Sequence, residues 1–115
     1  MSGKKLGAQT VALGNPPSFV GRSDVVGKKE GEGPLGACFD QICEDAYCGQ
    51  KSWEQAESFL QQTAIQLALQ KAHYTPNEIQ ALFAGDLLNQ CVGSTYGARD
   101  LGIPFIGLFG ACYTM

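Results

Sequence analysis

The sequence predicts an α/β fold with parallel strands. Two short apolar runs carry this reading, residues 79–84 (IQALFA) and 103–108 (IPFIGL), each closed by glycine-containing turn formers. Strands buried in parallel sheets read as continuous apolar runs, not as alternating ones. Each run follows a stretch of helical periodicity, so residues 51–115 order as helix, strand, helix, strand. That order requires a crossover between the two strands, and such crossovers are right-handed as a rule. The length, 115 residues, suits about one domain, and 44% hydrophobic with 17% charged residues excludes a disordered chain.

Residues 1–50 read as a glycine- and proline-rich arm. The first 36 residues hold eight of the fifteen glycines, the Pro16-Pro17 pair and Pro34. Residues 10–13 (TVAL) and 18–20 (SFV) are candidate strands, with Asn15-Pro16-Pro17 as the turn between them. Residues 27–34 (GKKEGEGP) are glycine-rich and charged. They lack the order of a phosphate-binding loop and read as an exposed connection. Residues 35–47 place Phe39, Ile42 and Ala46 at helical spacing and predict a short helix.

A long helix begins after Ser52. Ser52-Trp53-Glu54-Gln55 is a capping box, and Glu54 and Glu57 lie near the positive helix end, each worth about 0.3–1 kcal/mol. Trp53, Ala56, Leu60, Ala64 and Leu67 share one side. Ile65, Ala68, Leu69 and Ala72 widen it, predicting deeper burial in the second half. Gln55, Gln62, Gln66 and Gln70 form the opposite, polar stripe. His73 falls at the C-terminal end as a structural residue. Thr75-Pro76-Asn77-Glu78 is a second capping box with proline at its first position.

Run 79–84 is the first parallel strand, and residues 86–90 form the loop at its C-terminal end, where open α/β sheets bind ligands. Asp86 and Asn89 are therefore candidate binding residues, with a turn- or cap-forming role as the alternative. Residues 91–101 predict a helix loosened by Gly93 and Gly97, and 103–108 is the next strand.

Composition excludes several function classes. A formal charge of −3, with no basic cluster beyond Lys4-Lys5 and Lys28-Lys29, gives no footprint for nucleic acid. No window approaches the roughly 18 apolar residues of a membrane span. No apolar core follows Lys4-Lys5, so no signal peptide is expected. An odd cysteine count, Cys38, Cys43, Cys48, Cys91 and Cys112, predicts reduced thiols. Cys38, Cys43 and Cys48 recur every five residues, which on a helix would turn successive sulfurs about 140° apart. They read as unrelated small hydrophobic side chains, not as a metal site, and neither metal nor cofactor is expected.

The last residues, Gly110-Ala111-Cys112, follow a strand and would feed a helix. Small residues allow a sharp turn there, as in elbows that present a nucleophile. A thiol at the start of a helix is activated by the amides around it, and such a thiolate suits acyl transfer.

At these residues the chain resembles the thiolase and ketoacyl synthase superfamily, through "LFAGDLLNQC" and "ARDLGIPFIGLFGACYT". More closely, "GPLGACFD", "CGQKSWEQAE" and "AGDLLNQ" resemble the stage V sporulation protein AD family of spore-forming bacteria. The resemblance implies the N-terminal part of a thiolase-like layered αβαβα fold, incomplete here. Residues 1–50 would be an arm, and 51–115 a partial domain ending at the active-site-type cysteine. It further implies binding of dipicolinic acid, a pyridine dicarboxylate, and its loading into the developing spore. The partners implied are other stage V sporulation membrane proteins, with the protein peripheral to the inner spore membrane. Cys112 matches the nucleophile of true thiolases, and the implied ligand-binding group is Gly110, Ala111 and Cys112, with Asp86 and Asn89. Arg99 is a candidate cation for a carboxylate, with a solvated helix charge as the alternative.

The condensing enzymes need histidine or asparagine partners from later chain, which this sequence does not contain, so binding is expected in place of catalysis. Tyr113 departs from the small residue usual after the cysteine. It either narrows an entrance or packs the following turn. Segment 103–109 is expected to be poorly covered, and the chain to be marginally stable or to self-associate. Each uncovered large apolar side chain forfeits about 1.5–3 kcal/mol.

Overall fold

A computed structural model describes residues 3–114. The strands are β1 (Gly3–Leu6), β2 (Thr10–Leu13), β3 (Val25–Val26), β4 (Gln41–Ile42), β5 (Leu82–Ala84) and β6 (Phe105–Gly107). The helices are α1 (Lys28–Gly31), α2 (Trp53–Ala72), α3 (Val92–Ala98) and α4 (Ala111–Thr114). The chain is mixed α/β with small sheets, each of two strands: β1 with β2 antiparallel, β3 with β4 parallel and β5 with β6 parallel.

The parallel pair expected from the two apolar runs is present, in the register Leu82↔Phe105, Phe83↔Ile106, Ala84↔Gly107. Both strands are shorter than their apolar runs. Pro76–Glu78 forms a 3₁₀ turn ahead of β5, and α3 continues as a 3₁₀ turn over Arg99–Leu101 ahead of β6. Because the strands are parallel, α3 must return from the C-terminal end of β5 to the N-terminal end of β6. Phe83 and Ile106, opposite one another on one sheet face, remain 60% and 45% exposed. Phe109 is 62% exposed. Covering is therefore thin at Ile106 and Phe109, as expected, whereas Ile103 at the start of the segment is buried and Phe105 and Leu108 are half-buried.

The cap of α2 is the one read from sequence. Ser52 Oγ accepts the Gln55 N–H at 3.3 Å. Gln55 reaches back one residue further than the simple box, its Oε1 accepting from Lys51 N–H at 3.2 Å. Replacing Ser52 by Ala is expected to cost about 1 kcal/mol, checked by urea unfolding followed by helical circular dichroism. At the other end His73 adopts a left-handed backbone, φ 57°. Its N–H bonds the Gln70 carbonyl, and the Tyr74 N–H bonds the Leu69 carbonyl, the two bonds of a Schellman cap. His73 is thus a helix terminator. The second box also forms: the Glu78 carboxylate accepts both N–H and O–H of Thr75 at 2.8 Å.

Four expectations are corrected. Residues 18–20 form no strand; no neighbour pairs with them, and Phe19 is fully exposed. Residues 27–34 are not plain loop, since α1 lies within them. Residues 35–47 are not a helix. They form a 3₁₀ turn at Gly36–Cys38, then β4, then a turn, because β4 finds a parallel partner in β3. The second half of α2 is half-buried, not deeply buried, since what packs on it is thin.

The expectation of reduced, unrelated thiols is also overturned at two positions. Cys43 and Cys48 are joined by a disulfide, with Cα atoms 5.0 Å apart. The five-residue spacing separates sulfurs only on a helix. Here the chain turns at Asp45, which brings them together. Cys38, Cys91 and Cys112 are free, the first and last exposed and Cys91 buried.

The core is small. Cys43, Ala56, Cys91, Ala98, Ile103 and Ala111 are its buried apolar residues. The α2–α3 contact dominates and depends on glycine. A Cβ at Gly97 would lie 2.8 Å from the Ser58 carbonyl oxygen, and one at Gly93 3.1 Å from Glu57 Oε2. Ser58 Oγ in turn donates to the Gly93 carbonyl at 2.9 Å.

Candidate functional site at the strand ends

The C-terminal ends of β5 and β6 lie side by side, and two turns leave them. From β5 the chain enters Gly85-Asp86 and the loop to α3. From β6 it enters Leu108-Phe109-Gly110 and α4. The ladder extends past the strands through the Leu108 N–H, which donates to the Ala84 carbonyl at 2.9 Å. At this point the two backbones nearly touch. A Cβ on Gly85 would sit inside contact range of the Leu108 carbonyl oxygen and 3.1 Å from the Ala111 Cβ. Gly85 and Ala111 are therefore small for the same reason.

The elbow forms as its composition suggested. Gly110 has φ 62°, a conformation that side chains rarely adopt, and α4 starts at Ala111. Tyr113 lays its ring over Gly110, in the volume a Cβ there would occupy, and its N–H donates to the Gly110 carbonyl at 3.0 Å. Of the two roles considered for Tyr113, packing the turn is the one observed. Gly110 and Ala111 are buried, whereas Cys112 is exposed. Its thiol faces solvent and is open to reagents.

Asp86 is 3% exposed and works as the organiser of the neighbouring loop. Its Oδ1 accepts the N–H of Asn89 at 3.3 Å and of Cys91 at 3.0 Å. Its Oδ2 accepts the Ser94 N–H at 3.0 Å and the Ser94 hydroxyl at 2.6 Å. These bonds hold Gln90 and Cys91, both with positive φ, in a turn that neither side chain favours. Burial works to raise the Asp86 pKa, but the bonds from Ser94, Cys91 and Asn89 together outweigh it and hold the carboxyl below its ordinary 3.8. The Asn89 side chain turns away from Asp86 and donates to Glu54 Oε1 at 2.9 Å, tying the loop to the first turn of α2. Asp86 thus acts as a turn and cap former here, and Asn89 as a tie between the loop and α2.

Arg99 is not at the elbow. It lies past the far end of α3, exposed, 3.8 Å from Asp100 Oδ1, so the solvated reading describes it.

Sequence reasoning missed three members of this cluster. Ser94 is 1% exposed and is held by Asp86 and by Gln61 Nε2, 3.2 Å from its Oγ. Gln61 also reaches the Gly85 carbonyl at 3.5 Å. Glu57 carries the third signal: its Oε2 is buried with no hydrogen-bond partner among the described residues. Burial, and then the charge of Asp86, raise its pKa above 4.5. A carboxyl raised in this way opposes folding when ionised. That cost is present above the folded value and fades as pH falls toward 4.5. Glu57→Gln is therefore expected to raise the unfolding midpoint at neutral pH, with the gain shrinking as the buffer is made acidic. Parallel pH profiles for the two chains would contradict this.

Separately, a solvent-open groove of about 660 Å³ runs between α2 and α3, lined by Lys51, Gln55, Phe59, Gln62 and Tyr96 among others. None of its lining residues comes from the elbow.

Comparison with known proteins adds two findings. The family model for stage V sporulation protein AD matches residues 7–115. The chain is 46% identical, over 111 residues, to stage V sporulation protein AD of Bacillus subtilis (strain 168). That match covers 96% of this chain and 33% of the relative, so the chain spans about a third of the length of the curated protein it matches.

Proposed function

Since the chain belongs to the stage V sporulation protein AD family, we propose that its spore-related role is to bind dipicolinic acid at the elbow and aid its loading into the developing spore. The observation carrying this reading is the close meeting of two turns at the strand ends, where Gly85 abuts Leu108 and Ala111, with the exposed Cys112 at the rim. Strand ends of this kind are where α/β sheets receive small ligands. In this reading Cys112 meets the ring, and Gly110 and Ala111, both buried, form the turn that presents it. Asp86, whose two carboxylate oxygens are both engaged by the loop, shapes it without touching the ligand, and Asn89 ties that loop to α2 through Glu54. The architecture proposed is the N-terminal part of a thiolase-like fold.

No helix among the described residues is long and apolar enough to cross a membrane. Contact with the inner spore membrane would come through other stage V sporulation membrane proteins. Titration calorimetry with dipicolinic acid, on this chain and on the full-length Bacillus subtilis relative, tests the ligand. Saturable heat from the full-length protein is expected, weakened when the cysteine equivalent to Cys112 is replaced by a bulky residue. No heat from the full-length protein removes the reading.

One observation favours a second reading. Cys112 is exposed on the elbow, as an acyl-accepting thiol must be. Acyl transfer predicts that an acyl thioester substrate leaves its acyl mass on Cys112. Labelling spread over Cys38 and Cys112 alike, both exposed, would count against it.

A further inference from the structure

We propose that Cys43 and Cys48 form a reversible thiol–disulfide exchange site, oxidised by low-molecular-weight disulfides, whose state is felt at the start of α2. The pair is bonded, and its Cα separation of 5.0 Å falls within the span a disulfide accepts. The loop between the cysteines does not depend on that bond for its shape. Asp45 Oδ1 accepts the Tyr47 N–H at 2.6 Å and Oδ2 accepts the Gly49 N–H at 3.0 Å. The Cys48 N–H returns to the Asp45 carbonyl, the Gln50 N–H to the Tyr47 carbonyl, and the Cys43 N–H to the Val26 carbonyl of the neighbouring strand. A loop held in this way keeps two thiols in register after reduction, which makes the bond reversible.

The two sulfurs differ in access. Cys43 is 6% exposed and Cys48 is half-buried. Both line an open groove of about 260 Å³. Oxidation therefore starts at Cys48. Its thiolate attacks one sulfur of the small disulfide, forming a mixed disulfide and releasing one small thiolate. The Cys43 thiolate then attacks the Cys48 sulfur, forming the internal bond and expelling the second thiolate. Two protein thiols are oxidised and one external disulfide is reduced to two thiols.

The consequence reaches α2 through Tyr47. This residue adjoins Cys48 in sequence, and its ring stacks on Trp53, centroids 4.2 Å apart and planes 26° from parallel. Gly49, Gln50 and Lys51, which follow directly, line the larger groove between α2 and α3. With the loop's backbone held, reduction acts on side chains: the freed Cys48 side chain takes a new position beside Tyr47 and so alters how the Tyr47 ring sits on Trp53.

The test uses the full chain with glutathione disulfide as oxidant and a phosphine as reductant. Peptide mapping is expected to show the loss of two hydrogen atoms across Cys43 and Cys48, reversed by the phosphine, with Cys91 unchanged. Trp53 is the chain's single tryptophan, so its fluorescence should shift with the same midpoint. In Cys43→Ser, glutathione should stay trapped on Cys48. In Cys48→Ser, Cys43 should take up little. Helical circular dichroism that stays constant through reduction separates the switch from unfolding. The proposal is overturned by no two-hydrogen loss at this pair, by the adduct favouring Cys43, by a Trp53 signal that ignores the pair's state, or by reduction that unfolds the chain.

Discussion

Asp86→Ala is expected to be the most damaging single change near the site. It removes the acceptor for three backbone N–H groups and one hydroxyl, with Cys91 and Ser94 buried around it. Bonds to a charged acceptor contribute about 1.5–3 kcal/mol each in isolation, and donors left buried without a partner cost roughly 1–3 kcal/mol. These effects overlap, so a net loss of about 3–5 kcal/mol is reasonable, a large share of the roughly 5–15 kcal/mol that holds a domain together. Asp86→Asn keeps one oxygen and should lose less. The measurement is the urea midpoint, with amide exchange in α3 as the local readout, because Gln90 and Cys91 lose what holds their left-handed backbone. The pH sign follows from the lowered carboxyl. Its contribution is present above the unfolded value of 3.8 and is lost as pH falls through the lower, folded value. The alanine chain should lack that part of acid unfolding. An alanine chain as stable as the parent would show that the loop holds without its carboxylate.

Gly85→Ala is expected to be nearly as damaging, through sterics. The new methyl would overlap the Leu108 carbonyl oxygen and press on Ala111. The Leu108 carbonyl is backbone, in the residue whose N–H bonds Ala84 beside β5, and cannot swing aside as a flexible side chain would. Overpacking of this kind costs about 1–3 kcal/mol. It should also displace the turn that carries Cys112. Unfolding midpoints measure the first effect, and the amide resonances of Ala111 and Cys112 measure the second. An unchanged spectrum around Cys112 would mean that the two turns are not in contact in solution. Serine at position 85 should behave like alanine, since the obstacle is volume at Cβ and not polarity.

Much of the site's scaffold was legible in the residues. Ser52 and Gln55 announced the start of α2, and Thr75 and Glu78 announced the next turn, because capping is local chemistry written within four residues. The apolar runs announced β5 and β6, because strands covered by a crossover helix need few polar positions. Gly110 announced the elbow, because a left-handed residue after a strand is most easily glycine. The arm was less legible. Residues 35–47 had helical spacing, yet β4 pairs with β3, a choice made by a partner some sixteen residues away. Cys43 and Cys48 looked unrelated on a helical wheel, and a turn at Asp45 joined them.

By itself, then, the sequence determined where α2 begins and ends, that the runs at 79–84 and 103–108 supply a parallel strand pair, and which family the chain belongs to. Those features depend on neighbours within a few residues. Only the tertiary structure decided that Asp86 is spent on the backbone, that Glu57 has an unpartnered oxygen, that Gly85 meets Leu108 and that Cys112 stands in solvent. Each of these depends on which distant group occupies the adjacent volume, and a one-dimensional pattern holds no record of that.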